Sequence, residues 1–266
     1  MSSSRSKFYD KQNHRLVFIQ TQATPDFWDD YWQLGQDLRK KLQRRWVFPA
    51  DIIHKYLKPQ DGAILEAGCG DGKQLYRLRQ AGYEIVGIDY APKTVDELHK
   101  QLPELDVRLG DVRELEFSDN SFIAYMSMGV IEHFWYGYDT IIKEMYRVLK
   151  DGGYAFLTFP YMSPLRKFKT KIGRYPLHNS SMEPENFYQF ALNADEVVQT
   201  LSESGFQLVH KIPFGVSSGI CEEIPGLQRI YSPKNLNFIP RTIRFLSEKP
   251  LAPIVGHTIL LVLQKR

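Results

Sequence analysis

The sequence predicts an α/β fold: a parallel sheet with helices on both faces. Three observations predict it. Short apolar runs of strand length recur at 63–65, 83–89, 107–112, 122–130 and 154–159. Amphipathic stretches with helical spacing separate them, the rhythm of a sheet covered on both sides. The first run ends in three alternating glycines, Gly68, Gly70 and Gly72, that lead directly into a helix.

The glycine turn carries the most information. Ala63-Ile64-Leu65 reads as a buried strand, Asp71 as a cap, and Leu75 and Leu78 as the apolar face of the helix that follows. Glycine accepts positive φ and lets the backbone approach a ligand closely, while the helix N-terminus offers free N–H groups to an anionic group. The next strand, Tyr83 to Asp89, ends in an acid 21 positions after Gly68. That offset of about 20 residues is the one at which an acid reaches a ribose hydroxyl pair. A dinucleotide fingerprint wants glycine at position 73, where this chain has Lys73. A nicotinamide-dependent oxidoreductase is therefore only a remote alternative.

Glu66-Ala67-Gly68-Cys69-Gly70-Asp71-Gly72 resembles motif I of the class I S-adenosylmethionine-dependent methyltransferases, in particular the broad group that includes the ubiquinone/menaquinone-biosynthesis type. Later motifs follow in order: Val86-Gly87-Ile88-Asp89, Gly110-Asp111-Val112, Gly129-Val130-Ile131-Glu132-His133 and Arg147-Val148-Leu149-Lys150-Asp151-Gly152-Gly153. The resemblance implies a Rossmann-like, doubly wound seven-stranded sheet, mostly parallel with an antiparallel last strand, plus an N-terminal helical lid and an insertion before the last strand. It implies S-adenosyl-L-methionine as cofactor and S-adenosyl-L-homocysteine as product. Gly68, Cys69 and Gly70 would pass the backbone along the methionine part, with Glu66 on its ammonium group. Asp89 would take the ribose hydroxyls, Tyr90 would lie against adenine, and Asp111 and Val112 would meet the adenine edge, with Met128 also lining the site. His133 is the candidate base, because its pKa lies near working pH. Related enzymes that use a metal carry an acid upstream of Glu-His. Gly129 stands there in this chain, so no metal is expected.

The remaining elements follow in order. Residues 1–22 are read as largely mobile, with Leu16-Val17-Phe18-Ile19 as a short strand. Phe27, Tyr31, Leu34, Leu38 and Leu42 form one helical stripe from Pro25 to Arg45, the proposed lid. Pro49 to Leu57 is a short helix. Pro92 opens a helix with Val95, Leu98 and Leu102 on one face. Asp139 caps another, carrying Ile141, Ile142, Met145, Val148 and Leu149 and closed by Gly152-Gly153. Ala194 to Ser204 is a helix, Phe206 to Ile212 a strand, and His257 to Gln264 the last strand. The organisation expected is an N-terminal extension and lid over 1–48 and a methyltransferase domain over 49–266, with acceptor-side insertions at 160–190 and 213–256.

Composition is that of an ordinary globular protein. Two cysteines, Cys69 and Cys221, suggest no disulfide framework and fit a reducing cytoplasm. The N-terminus has no apolar segment of the signal-peptide kind, and the longest apolar run, 258–263, is too short to span a bilayer. The net charge of +3 conceals two acid-free basic runs, Arg39 to Arg45 and Arg166 to Arg174, each with five cations. Such asymmetry suggests an anionic partner. The expected acceptor is small or lipid-linked and anionic, methylated on oxygen or nitrogen. Tyr31, Arg166, Lys167 and Lys169 are placed on the acceptor side, and peripheral membrane contact through the Ile239, Ile243, Leu246 stripe is considered. An RNA or protein acceptor is the alternative. It is less favoured for nucleic acid because no Asn/Asp-Pro-Pro-Tyr/Phe signature follows the fourth strand.

Overall fold

The structure is a computed structural model and describes residues 6–35, 37–43, 48, 50–180 and 182–266. Residues 1–5, Arg44, Arg45 and Pro49 of the sequence reading lie outside the described residues. The chain opens with strands β1 (Ser6–Asp10) and β2 (Arg15–Ile19) and helices α1 (Pro25–Trp32), α2 (Leu38–Leu42) and α3 (Ala50–Ile53). The alternating core follows as β3 (Ile64–Ala67), α4 (Lys73–Gln80), β4 (Ile85–Asp89), α5 (Pro92–Gln101), β5 (Asp106–Leu109), β6 (Phe122–Met128), α6 (Asp139–Val148) and β7 (Leu149–Pro160). After α7 (Pro164–Lys171) and β8 (Phe187–Ala191) come α8 (Ala194–Glu203), β9 (Phe206–Phe214), α9 (Val216–Glu223), α10 (Gln228–Tyr231), α11 (Phe238–Val255) and β10 (Thr258–Lys265).

Seven strands form the main sheet in the order β5-β4-β3-β6-β7-β10-β9. Pairings from β5 through β7 are parallel, and β10 runs antiparallel to both its neighbours. This is the expected Rossmann-like topology. β3 and β4 are buried along their whole length, as strands covered on both faces must be. One apolar layer joins the sheet to α6 and α8 through Ile142, Met145, Val197 and Leu201. The other joins it to α2–α5 through Leu42, Ile53, Leu75 and Leu98. Strand order reverses between β3 and β6, and there the glycine turn after β3 meets the loop after β6. Ligands of such sheets bind at that crevice.

The single helix expected from Pro25 to Arg45 is two. Gly35 takes φ +68° and Gln33 leaves the helical region, which a right-handed helix cannot accommodate. The halves also serve different cores: Phe27 and Trp28 pack near β2 and β8, whereas Leu34, Leu38 and Leu42 pack with α4 and α5. Residues 6–19 are an ordered hairpin, not a mobile tail. With β8 they make a second, antiparallel sheet in the order β1-β2-β8. Asp139 is the first helical residue and not the cap, a position held by Tyr138. Gly152 and Gly153 do not close α6, which ends at Val148; they lie inside β7. A Cβ on Gly153 would come within 2.8 Å of two backbone carbonyl oxygens, so that site needs glycine for close chain approach.

Candidate active site

The site is built outward from the turn between β3 and α4. The N–H groups of Gly68 and Cys69 both donate to the Ile88 carbonyl at the end of β4, at 2.8 and 2.9 Å. Gly68, Gly70 and Gly72 all take positive φ, so glycine is required there. The turn is also crowded. A Cβ on Gly68 would meet Val130 Cγ2 at 2.5 Å, and one on Gly70 would meet the Trp32 ring at 2.5 Å. Asp89, at the end of β4, is buried and is clamped to the turn: one oxygen accepts from Gly70 N at 2.7 Å, the other from Ala91 N at 3.0 Å. Burial pushes its pKa up, and these backbone donors pull the other way. A carboxylate has about four acceptor positions, so each oxygen keeps room for a further donor.

Two adjoining cavities, of about 500 and 270 Å³, open from this turn and share Trp32, Gly68, Gly70, Met128 and Gly129. The larger runs past Asp89, Tyr90, Asp111 and Val112 to His133 and Tyr136. The smaller runs past Glu66, Cys69 and Lys73 to Glu132, Thr158 and Thr258. α1 roofs the junction. Thr24 caps this helix through Phe27 N at 3.2 Å, with Pro25 in its first turn. Asp29 fastens it to the start of α5, accepting from Thr94 N and Thr94 Oγ1 at 2.8 and 3.0 Å. Tyr90 donates to the Ala23 carbonyl at 3.0 Å, tying the larger cavity's wall to the chain entering α1. Burial pushes the Tyr90 pKa up to about 12, so the phenol stays a donor.

The loop after β6 supplies titratable groups. His133 Nδ1 sits 2.6 Å from the Tyr188 carbonyl of β8. A carbonyl only accepts, so Nδ1 carries the proton and the neutral ring leaves its lone pair on Nε2. The Trp28 ring meets the imidazole edge-on at 4.9 Å. Next to it, Glu132 is buried, its Oε2 has no hydrogen-bond partner, and burial raises its pKa to about 8. Glu66 is buried in the same way, with an unpartnered Oε2 and a pKa well above the usual range, chiefly through burial. Burial also raises the Cys69 thiol, which therefore stays protonated.

Residues 65–157 match the methyltransferase-domain family model. A protein of Mycolicibacterium smegmatis named a probable S-adenosylmethionine-dependent methyltransferase is 28% identical over 179 residues, 66% of this chain and 65% of its own length. A Drosophila melanogaster homolog of an eEF1A lysine and N-terminal methyltransferase is 26% identical over 49% of this chain and 21% of its own. Among solved structures, a S-adenosylmethionine-dependent methyltransferase from Methanosarcina mazei superposes with a TM-score of 0.57 at 18% identity, covering 82% of this chain and 98% of that one. Residues 65–157 are thus a methyltransferase domain of the class I S-adenosylmethionine-dependent kind. The chain spans less than two thirds of the length of these curated relatives.

The methyltransferase cleft fits its cofactor on the residues present. An unpartnered buried oxygen on Glu66 faces the smaller cavity, and the glycine turn leaves backbone, not side chain, at the junction. Glu66, Gly68, Cys69, Gly70, Asp89, Tyr90, Asp111, Val112, Met128 and His133 each line one of the two cavities. Asp111 does so with its carboxylate already held by the Arg113 guanidinium, which lowers its pKa. The acceptor-side residues lie elsewhere. Tyr31 is 57% exposed and stacks on Phe27, outside both cavities. Arg166, expected at the acceptor entrance, is fully buried: it pairs with Glu222 and Glu223 at 3.1 Å each and donates to the Tyr161 carbonyl at 2.8 Å. Lys169 pairs with Glu223 at 2.7 Å, and Lys167 with Asp195 at 3.4 Å. The run holds the insertion to the body of the domain. Composition could not show this, because Glu222 and Glu223 lie more than 50 positions away in sequence and Asp195 lies 28 away. The sequence reading also missed Trp28, Trp32 and Glu132. Trp28 and Trp32 sit on the predicted lid helix, so an aromatic-rich stripe was the available signal.

Proposed function

We propose that this chain transfers the methyl group of S-adenosylmethionine to an oxygen or nitrogen nucleophile of a small or lipid-linked acceptor. The observation that carries the reading is the buried Asp89 carboxylate, clamped on the glycine turn at the mouth of the larger cavity. Bound there, the cofactor supplies an activated methyl carbon and a neutral leaving group. Asp89 would accept the ribose hydroxyl pair. Glu66 Oε2 would accept from the methionine ammonium, and Tyr90, Val112 and Met128 would flank the adenine. The protein's remaining share is orientation and exclusion of water. His133, fixed by the Tyr188 carbonyl, is the proposed base for the acceptor proton. Glu132, with its Oε1 4.0 Å from His133 Nε2 and its Oε2 without a hydrogen-bond partner, favours a neutral or cationic acceptor group over the anionic one that the basic runs suggested. A protein amine is the second reading, favoured by the same carboxylate.

Calorimetry with S-adenosylhomocysteine tests the cofactor half. Asp89→Ala should weaken binding by roughly 1–3 kcal/mol, the cost of leaving hydrogen-bonding groups unpaired. Equal affinity in the two proteins overturns the ribose assignment, and no binding in either overturns the reading. With a methyl acceptor found by screening, His133→Ala should keep cofactor affinity and lose turnover by ~10²–10⁴-fold.

A further inference from the structure

The segment between β9 and β10 carries an exposed face that the cleft does not use. Phe238 is 82% exposed, Phe245 81% and Ile239 70%, and Leu236 and Leu246 are exposed beside them. On α11 the pairs 238/245 and 239/246 are each seven residues apart, so these side chains share one stripe. The helix is packed at its C-terminal end: Ala252 and Val255 are buried with Val216 and Ile220 of α9, and Glu248 accepts from Gly215 N at 2.6 Å. The N-terminal half of the same helix leaves its apolar stripe exposed. Isolated exposed apolar residues are ordinary on a soluble surface, whereas several large ones on one helix mark a contact surface.

Charge identifies the kind of contact. From 224 to 255 the chain has five cations, Arg229, Lys234, Arg241, Arg244 and Lys249, and one acid, Glu248. Glu248 is spent on the α9 N-terminus, and Arg244 donates inward to the Ile230 and Asn235 carbonyls. The other four cations are exposed and, among the described residues, enter no ion pair. Phenylalanine and leucine bordered by lysine and arginine, with no free acid, is the composition of a helix lying in the interface of an anionic bilayer. A protein interface would instead deplete lysine and bring paired charges. No described helix is long and apolar enough to cross a membrane.

We propose that α11 and the turn before it form a docking face for an anionic lipid surface, with Phe238, Ile239, Phe245 and Leu246 inserted and Lys234, Arg241 and Lys249 against the headgroups. The face is independent of the reading of the cleft. The test is flotation of the full chain with vesicles of phosphatidylcholine alone or with about a third phosphatidylglycerol, a fraction chosen to give a clearly negative surface. The expected result is salt-sensitive binding to the anionic vesicles and little to the neutral ones. Phe238→Ser/Phe245→Ser should weaken that binding by about tenfold or more, and Arg241→Gln/Lys249→Gln should abolish the preference for anionic lipid. An unchanged melting temperature and unchanged S-adenosylhomocysteine affinity show that the variants are folded. Equal flotation of wild type and the phenylalanine variant, equal binding to both vesicle types, or concentration-dependent dimers that the phenylalanine variant dissolves would each overturn the proposal.

Discussion

At the scale of single residues, the cleft is defined by two buried carboxylates whose free oxygens face one small cavity. Glu132 offers a direct check. Its pKa rises from the ordinary value near 4.5 to about 8 on folding. A carboxyl raised in this way binds more protons folded than unfolded between those values, so stability falls as pH climbs from about 4.5 to 8. Glu132→Gln mimics the protonated form and should therefore stabilise the protein at pH 9 but not at pH 5. Thermal melts at both pH values read this; a parallel pH profile in the variant would show that Glu132 is already ionised. The sequence revealed Asp89 because it ends a strand at a recognisable offset from the glycine turn, and Glu66 through the resemblance of its glycine motif. Glu132 was quoted within its motif yet given no role, since nothing local says that its Oε2 ends without a partner. That property belongs to the packing of the 131–133 turn against β7 and β8.

At the scale of elements, Glu223 on α9 is the knot of the molecule's second half. It takes Lys7 from β1 at 3.0 Å, Arg166 and Lys169 from α7 at 3.1 and 2.7 Å, and the Tyr175 hydroxyl at 2.6 Å. Three segments far apart in sequence thereby meet on one carboxylate. Burial opposes its ionisation, but the surrounding cations and donors prevail and hold its pKa far below the usual carboxylate range. A depressed carboxylate contributes stability that is present above the unfolded pKa of about 4.5 and lost as pH falls below it. Glu223→Gln should cost about 3–5 kcal/mol near pH 7, the penalty for breaking a buried charge network. The difference from wild type should shrink toward pH 3, as denaturant titrations across that range will reveal. A constant difference would mean that the cost is steric. The core elements β3, β4, β6 and α4 to α6 were legible because local periodicity and glycine chemistry specify them. The β1-β2-β8 sheet was not, because its pairing links residue 17 to residue 190. Nor was the break at Gly35, where two cores compete for one helical stripe.

At the scale of the whole molecule, the main sheet, the small antiparallel sheet and the helical insertion converge on the carboxyl ends of the parallel strands. β8 fixes His133, α1 roofs the turn, and Phe214 and Thr258 from the sheet's other end complete the smaller cavity. A ligand filling both cavities bridges these parts and should stabilise them together. S-adenosylhomocysteine at about 100 times its dissociation constant contributes roughly 2.7 kcal/mol, a rise of about 5–10 °C in melting temperature for a chain of this size. No shift under saturating ligand would separate binding from the folded state described here.

The Trp32 ring lies against Gly70 and belongs to the walls of both cavities, with Trp28 stacked 6.0 Å away. Indole emission responds to its surroundings, so the cleft contains its own optical gauge. A ligand spanning the two chambers would lie beneath this indole, so its arrival and departure can be timed from the protein's own fluorescence.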